Sequence, residues 1–304
     1  MDESVHRRLN YDALKWLVEE PGMDIQMLEL SLAGLVLLNY LEINALDFDG
    51  PAFFEGGVDK GTGFSARASA RVQQVANLLL EFRFTTSFDE LCNRMKTREL
   101  RSSYFEGEAA GFFMRAGFEV LAKPETGVKR EDFDFSATKG DVTINGEVTA
   151  LSSTIYSPKT LESALKKKRS QLPDDKPAVI FCAVPHSWYE FADLRFSLFR
   201  QTFLFFRGSK RINAVVYFFE EWIELNDGNT AFYKSFLPIT NQTARHPVDL
   251  SLFYSGNAPR FQRIDRLGNV RAHFEYEATP FELWFRDMME MSKKLPPGWP
   301  NHKR

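Results

Sequence analysis

Asp132-Phe-Asp-Phe135, followed by Val142-Thr-Ile-Asn-Gly-Glu-Val-Thr-Ala150, decides how the middle of this 304-residue chain is built. Both segments alternate at a period of two residues, which is the pattern of a strand with one face on a core. Alternation sets Asp132 and Asp134 on one face and Phe133 and Phe135 on the other. In the second segment it separates Val142, Ile144, Gly146 and Val148 from Thr143, Asn145, Glu147 and Thr149. With the apolar faces packed inward, the two strands present Asp134, Glu147 and Thr149 together. A plain polar strand face is the competing reading.

The surrounding elements extend the same layer. Phe105 to Ala116 reads as a helix stopped by Gly117, and Phe118-Glu-Val-Leu121 reads as the strand that follows. Ser157-Pro158 opens a second helix, with Ser as N-cap and Pro in the first turn, and Pro173 closes it. Ala178-Val-Ile-Phe-Cys-Ala-Val184 is a near-continuous apolar run, the mark of a strand buried on both faces. Tyr189 to Phe206 reads as helix, and Ala214-Val-Val-Tyr-Phe-Phe219, within 212–225, as a further strand. Helix, strands, helix and strand in this order predict an α/β (α+β) mixed sheet flanked by helices over residues 102–225.

Residues 1–101 read as a helical N-terminal region, broken at Glu20-Pro21-Gly22 and across the glycine-rich stretch from Asp47 to Gly63. Val72, Val75, Ala76, Leu79 and Leu80 recur at helical spacing and predict a packing stripe. Leu30 to Leu41 is too short for the ~20 apolar residues of a bilayer span and reads as a buried helix. Residues 226–304 form a C-terminal elaboration, with short strands including Val270 to Tyr276, a helix near Pro280 to Lys293, and a proline-rich, loosely held tail. No basic-then-apolar leader opens the chain, which predicts a cytoplasmic protein without membrane partners.

Composition narrows the classes. A hydrophobic content of 44% with 26% charged residues excludes a largely disordered chain. The 29 Phe predict a well-filled core or, as a second reading, a sticky surface that assembles with copies of the chain or with other partners. A net charge of −3 gives no global basic footprint, so nucleic-acid contact requires a local one. Cys92 and Cys182 lack any paired spacing and read as buried thiols.

From Phe105 to Pro185 the chain resembles the core of the PD-(D/E)XK nuclease superfamily, whose fold is restriction-endonuclease-like. The resemblance rests on Glu106 in the first helix, the Gly117-Phe-Glu-Val120 turn, Asp134, and Gly146-Glu147-Val148-Thr149 in place of Glu-x-Lys. It implies Asp134, Glu147 and the backbone carbonyl of Val148 as ligands of Mg²⁺ or Mn²⁺, with Glu106 reaching the ion through water. Asp132 and Glu108 are the fallback carboxylates. Hard oxygen donors with room for water suit these ions, which activate water and offset charge on a phosphodiester. For Glu106 and Glu108 the alternative is a solvated first helical turn.

Thr149 departs from the family pattern, because a neutral hydroxyl cannot supply the positive charge of the family lysine. Leu161, Ala164, Leu165 and Leu172 define the inward stripe of the next helix, and Lys168 falls on it. A charged residue on an inward stripe needs a partner, so Lys168 directed at Glu147 would serve as the substitute cation. Gln171 joins it as a donor near substrate or water, and Thr149 is kept as a substrate contact. The other reading of Lys166-Lys-Lys-Arg169 is a solvated basic helix end.

The function expected from the resemblance is Mg²⁺-dependent hydrolysis of nucleic acid, DNA or RNA. Its alternative is a catalytically silent relative that binds nucleic acid or protein on the same scaffold. Other signals fall away. Gly57 to Thr62 lacks the lysine of a phosphate-binding loop, and the histidines at 6, 186, 246, 273 and 302 lack metal-site spacing. Asn241-Gln-Thr-Ala-Arg-His-Pro247 concentrates polar donors after a strand, with Arg245 a candidate phosphate contact that nothing in the sequence fixes. Aromatic and basic residues interleave from Phe196 to Arg211, a pattern shared by base-stacking surfaces and by ordinary core helices.

Overall fold

A computed structural model describes residues 33–34, 36–42, 66–125, 127–128, 130–224, 230–253, 260–264 and 270–274. The calls on Glu20 to Gly22, the loop from Asp47 to Gly63, the helix near Pro280 to Lys293, the tail, His6 and His302 lie outside these residues. The helices are α1 (Ala66–Phe82), α2 (Phe88–Thr97), α3 (Leu100–Arg115), α4 (Pro158–Gln171) and α5 (Leu194–Arg207). The strands are β1 (Glu119–Ala122), β2 (Phe135–Lys139), β3 (Val142–Ala150), β4 (Ala178–Ala183), β5 (Ile212–Glu224), β6 (Thr230–Thr240), β7 (Arg260–Ile264) and β8 (Val270–Phe274). They form one mixed sheet in sequence order. β1, β2 and β3 are antiparallel, β3, β4 and β5 run parallel through α4 and α5, and β6 to β8 return antiparallel. The chain is therefore mixed α/β, with a sheet flanked by helices.

Each face of the sheet carries its own core. On one side α1, α2 and α3 bury Leu79, Phe82, Phe88 and Phe113 against Ile144, Val148, Phe181 and Phe218. On the other, α4 and α5 bury Leu161, Leu165, Leu172 and Leu198 against Ile180, Cys182, Val215 and Tyr217. All of β4 is buried, as its unbroken apolar run requires. The described helical part of region 1–101 thus shares a core with the sheet. Residues 36–41 are helical and deposit Val36, Leu37 and Leu41 in that core. Among the described residues no helix is long and apolar enough to cross a membrane. Cys92 and Cys182 are free and buried, and burial pushes both thiols up to about 12.

Several boundaries differ from the sequence reading. Helix α3 begins at Leu100, a turn earlier than Phe105. It stops as expected at Gly117, which takes φ +81° while Phe118 N–H bonds the Phe113 carbonyl at 3.1 Å and Gly117 N–H the Met114 carbonyl at 2.9 Å. That pairing is a Schellman cap, and it pulls Phe118 out of β1. The stretch from Tyr189 to Phe206 is a 3₁₀ turn over His186–Glu190 followed by α5. β2 starts only at Phe135, because Asp134 ends the ladder. Gly146 sits opposite Phe135, and a Cβ there would lie 2.2 Å from its ring, so the phenyl ring packs directly on the glycine backbone.

A separate buried ionic group joins the helical layer to the far strands. Arg71 on α1 clasps Glu220 on β5 with both terminal nitrogens and also donates to Gln74. Lys234 on β6 pairs with Glu108 at 3.0 Å and donates to the Tyr104 hydroxyl at 2.6 Å. Burial opposes ionisation of Glu220, but Arg71 outweighs it and holds the carboxyl below its ordinary value of 4.5. The sign follows from linkage: a lowered folded-state value means the pair contributes fully above the unfolded value and is lost as pH falls through the folded one. In acid titrations of thermal stability, the wild type is expected to lose this increment below about pH 4.5, while Glu220→Gln, already without it, shows a shallower acid slope. Equal slopes would mean the pair is not coupled to folding.

Candidate functional site

The β2–β3 ladder closes at Phe135 opposite Gly146, and beyond it the two strands part. β3 continues to pair with β4 through its odd-numbered residues, as in Asn145 N–H to Pro177 O and Leu151 N–H to Ala183 O. Even-numbered Val148 therefore turns its N–H and C=O toward the gap left by β2. Its N–H goes to Asp134 Oδ2 at 2.6 Å, so a side chain replaces the missing ladder partner. Its carbonyl, on the same edge, has no ladder partner. The side chain of Val148 packs in the α3-side core, so Glu147 points to the α4 side.

Glu147 has 1% of its side-chain surface exposed, and its Oε1 accepts a hydrogen bond from Lys168 Nζ of α4 at 2.6 Å. Its other oxygen, Oε2, is buried with no hydrogen-bond partner. Such an orphan is costly and calls for an account. Glu106 reaches the same gap from α3, where its Oε2 accepts from Arg94 at 2.8 Å and its Oε1 lies 3.6 Å from Arg98. Three acidic side chains from three elements thus surround the place where the sheet opens, with Lys168 on one side and Arg94 and Arg98 on the other.

The charges show how closely these groups interact. Burial pushes the Glu147 carboxyl above its ordinary range, the Asp134 carboxylate pushes it further, Lys168 opposes the rise, and Glu106 adds a smaller push. Glu106 is raised by burial and then by Asp134, against Arg94 and Arg98. Asp134 is raised by burial in spite of Lys168, the Val148 amide and Arg94. Three cations nearby do not neutralise the cluster. A buried group of carboxylates that resists full ionisation has room for added positive charge.

The residues fit a divalent cation in part. The Asp134 carboxylate, the orphaned Glu147 Oε2 and the Val148 carbonyl form a hard oxygen set of the kind that leaves several positions to water. Against this, no group of three His, Cys, Asp or Glu side chains converges as a ready-made metal cage among the described residues. Any ion here would rely on water for most of its shell.

The remaining candidates separate by position. Gln171 donates from Nε2 to the Asp132 carbonyl at 3.3 Å, and its Oε1 is buried without a partner, close to the site but not in contact with its carboxylates. Asp132 turns its carboxylate to the Gly127 amide at 3.1 Å, and Glu108 belongs to the Lys234 group, so neither fallback joins the cluster. Thr149 is half-buried on the α4 side, one strand repeat beyond Glu147. His186 stacks at a tilt on Tyr189, and His246 bonds the Asp174 carbonyl, both away from the cluster.

Arg94 is the residue that sequence reasoning missed. Its side chain is 4% exposed and holds four groups: Glu90 at 2.8 Å, Glu106 at 2.8 Å, the Asp134 carbonyl at 3.2 Å, and the Lys123 carbonyl. The Asp134 carbonyl also accepts from Lys123 N–H at 2.9 Å. Arg94 therefore locks β1, β2 and α3 at the cluster. The signal was present, since Arg94 lies beside the inward stripe Phe88, Leu91, Cys92 and Met95, where a cation needs buried partners. Arg94→Met is expected to cost about 3–5 kcal/mol, because it strands buried carboxylate and carbonyl oxygens. Denaturant unfolding checks this, and a loss below about 1 kcal/mol, the level of an exposed ion pair, would show that the cluster does not depend on it.

No protein-family model matches the chain, and no curated protein is significantly similar to it.

Proposed function

We propose that this protein is a Mg²⁺- or Mn²⁺-dependent nuclease that hydrolyses phosphodiester bonds, with a restriction-endonuclease-like core in which Lys168 stands in for the missing motif lysine. The observation that carries the reading is the Lys168 ammonium, delivered from α4 to within 2.6 Å of Glu147, beside Asp134 and at the open end of β2 and β3. A structural ion pair alone would require neither an unpartnered second oxygen on Glu147 nor a second carboxylate, Asp134, in the same buried place.

Bound at Asp134, Glu147 and the Val148 carbonyl, a divalent ion would supply an activated water and offset charge on the phosphate. The chain's own groups then have distinct tasks. Asp134 is fixed by the Val148 amide and, through its carbonyl, by Arg94, so its carboxylate is held in place before substrate arrives. Lys168 offers a fixed positive charge for oxygens that become more negative in the transition state. Its ammonium stays charged, because Glu147 and Asp134 outweigh the burial that disfavours it. Glu106, drawn to the gap by Arg94 and Arg98, is placed to orient water.

The test is cleavage of linear and circular DNA and of RNA, each with Mg²⁺, with Mn²⁺ and with chelator. Metal-dependent cutting that disappears in Glu147→Ala is the expected result. Salt-sensitive binding of the same substrates without cutting would instead select a silent nucleic-acid-binding relative.

A further inference from the structure

We infer that Arg130, Arg169, Arg211 and Arg245 form a built contact surface for the phosphate backbone of a nucleic acid, leading to the carboxylate cluster. The four come from four segments: the loop before β2, the last turn of α4, the turn into β5 and the loop after β6. Two of the guanidiniums are held by main-chain carbonyls, and the segments that carry the other two are tied to the same place by an ion pair and a backbone bond. Arg169 donates to the Gly208 carbonyl at 2.8 Å with its guanidinium 5.7 Å from the Phe205 ring centre, and Arg211 donates to the Arg169 carbonyl. Arg245 N–H bonds the Lys210 carbonyl at 2.5 Å. Its loop is fastened by Asn241, whose Nδ2 reaches the Ser209 and Ile212 carbonyls at 3.0 and 2.9 Å.

Charge is left over in this patch. Asp174 pairs with Arg130 at 3.6 Å, and both side chains are about half exposed. Arg169, Arg211 and Arg245 make no ion pair with a carboxylate among the described residues; the bonds that fix the Arg169 and Arg211 guanidiniums go to backbone carbonyls, which leave the charge uncancelled. Partial burial, then Arg169, Arg130 and Arg245, lower the affinity of Arg211 for its proton against the pull of Asp174, so Arg211 meets the other three as like charges. In a chain with net charge −3, four guanidiniums gathered at one place, two of them fixed by the main chain, are suited to a polyanion.

Position selects the polyanion. Arg169 follows Lys168 on α4, and Arg130 stands in the loop that leads to Asp134. Gln171 ties the two segments together by donating to the Asp132 carbonyl. A phosphodiester chain lying over the arginines would run to the open end of β2 and β3. The choice of nucleic acid rests on the proposed function; the excess charge does not.

The test uses fluorescein-labelled DNA and RNA duplexes of mixed sequence, titrated by anisotropy in EDTA at several salt concentrations so that cutting cannot interfere. The variants are Arg130→Ala/Arg245→Ala, both exposed positions outside the cluster, and the charge-keeping Arg130→Lys/Arg245→Lys. Wild type is expected to bind with log affinity falling linearly in log salt. The alanine pair should reduce the magnitude of that slope by about 2 and the lysine pair should retain it, since each phosphate contact releases about 0.9 counterion. Equal slopes in wild type and the alanine pair, with unchanged melting temperatures, would overturn the inference, as would wild type that binds neither duplex. Binding to phosphatidylserine vesicles but not to duplex would overturn it in favour of a lipid surface. Salt-dependent, arginine-dependent binding with no cleavage in Mn²⁺ would leave this inference standing while the nuclease reading fails.

Discussion

Lys168→Met is expected to lower metal-dependent cleavage by about 10²–10³-fold, the usual cost of losing one preorganised group aimed at developing charge. The substitution keeps a flexible side chain of similar length on α4, the helix that buries Leu161 and Leu165. It removes only the ammonium that Glu147 and Asp134 hold. The fold is expected to persist, because the carboxylates can take up a proton where the cation is lost. Single-turnover cleavage at saturating substrate, with circular dichroism as the fold control, separates loss of chemistry from loss of structure. Full activity in folded Lys168→Met would remove the lysine from the mechanism.

The second large effect is a split between activity and stability at Glu147. Glu147→Gln is expected to cut activity by about 10³-fold or more, since losing an anionic metal ligand forfeits several kcal/mol of transition-state stabilisation. In chelator, the same variant is expected to melt at or slightly above the wild-type temperature. The reason is that a neutral amide replaces a carboxylate that burial, Asp134 and Glu106 all disfavour. Lys168 keeps Asp134 as a neighbour. Calorimetry in EDTA checks this. A clear fall in melting temperature would show that the Glu147–Lys168 pair exists to stabilise the fold.

Much of this site is legible in sequence because each of its groups breaks a local pattern. Glu147 is an acid on a strand that the core must cover, and Lys168 is a cation on a leucine stripe; each implies a partner, and the two are each other's. Gly117 reads as a stop because its left-handed backbone is costly for other residues. Arg94 was hidden for the opposite reason. Glu90 and Arg94 fit the common exposed i to i+4 pair, so a local explanation masks the long-range one through Glu106, Asp134 and Lys123. The Gly140-Asp141 turn, with Gly140 at φ +57°, sets the β2–β3 register that places Phe135 opposite Gly146. β6 is legible only as a strand somewhere before Asn241, because Lys234 and Pro238 interrupt its pattern, one drawn inward by Glu108. The arginine surface is invisible in sequence, since its members are scattered from Arg130 to Arg245 and only the fold gathers them.

On the proposed function, the gap beyond Phe135 and Gly146 would hold a catalytic divalent ion beside a lysine from α4. Anomalous diffraction from crystals soaked in Mn²⁺ tests it most directly. One strong peak in contact with Asp134, Glu147 and the Val148 carbonyl, with Lys168 alongside and the peak absent in Glu147→Gln, is the result expected. Wild-type crystals that place Mn²⁺ elsewhere, or show none while Glu147 stays paired to Lys168, would contradict it.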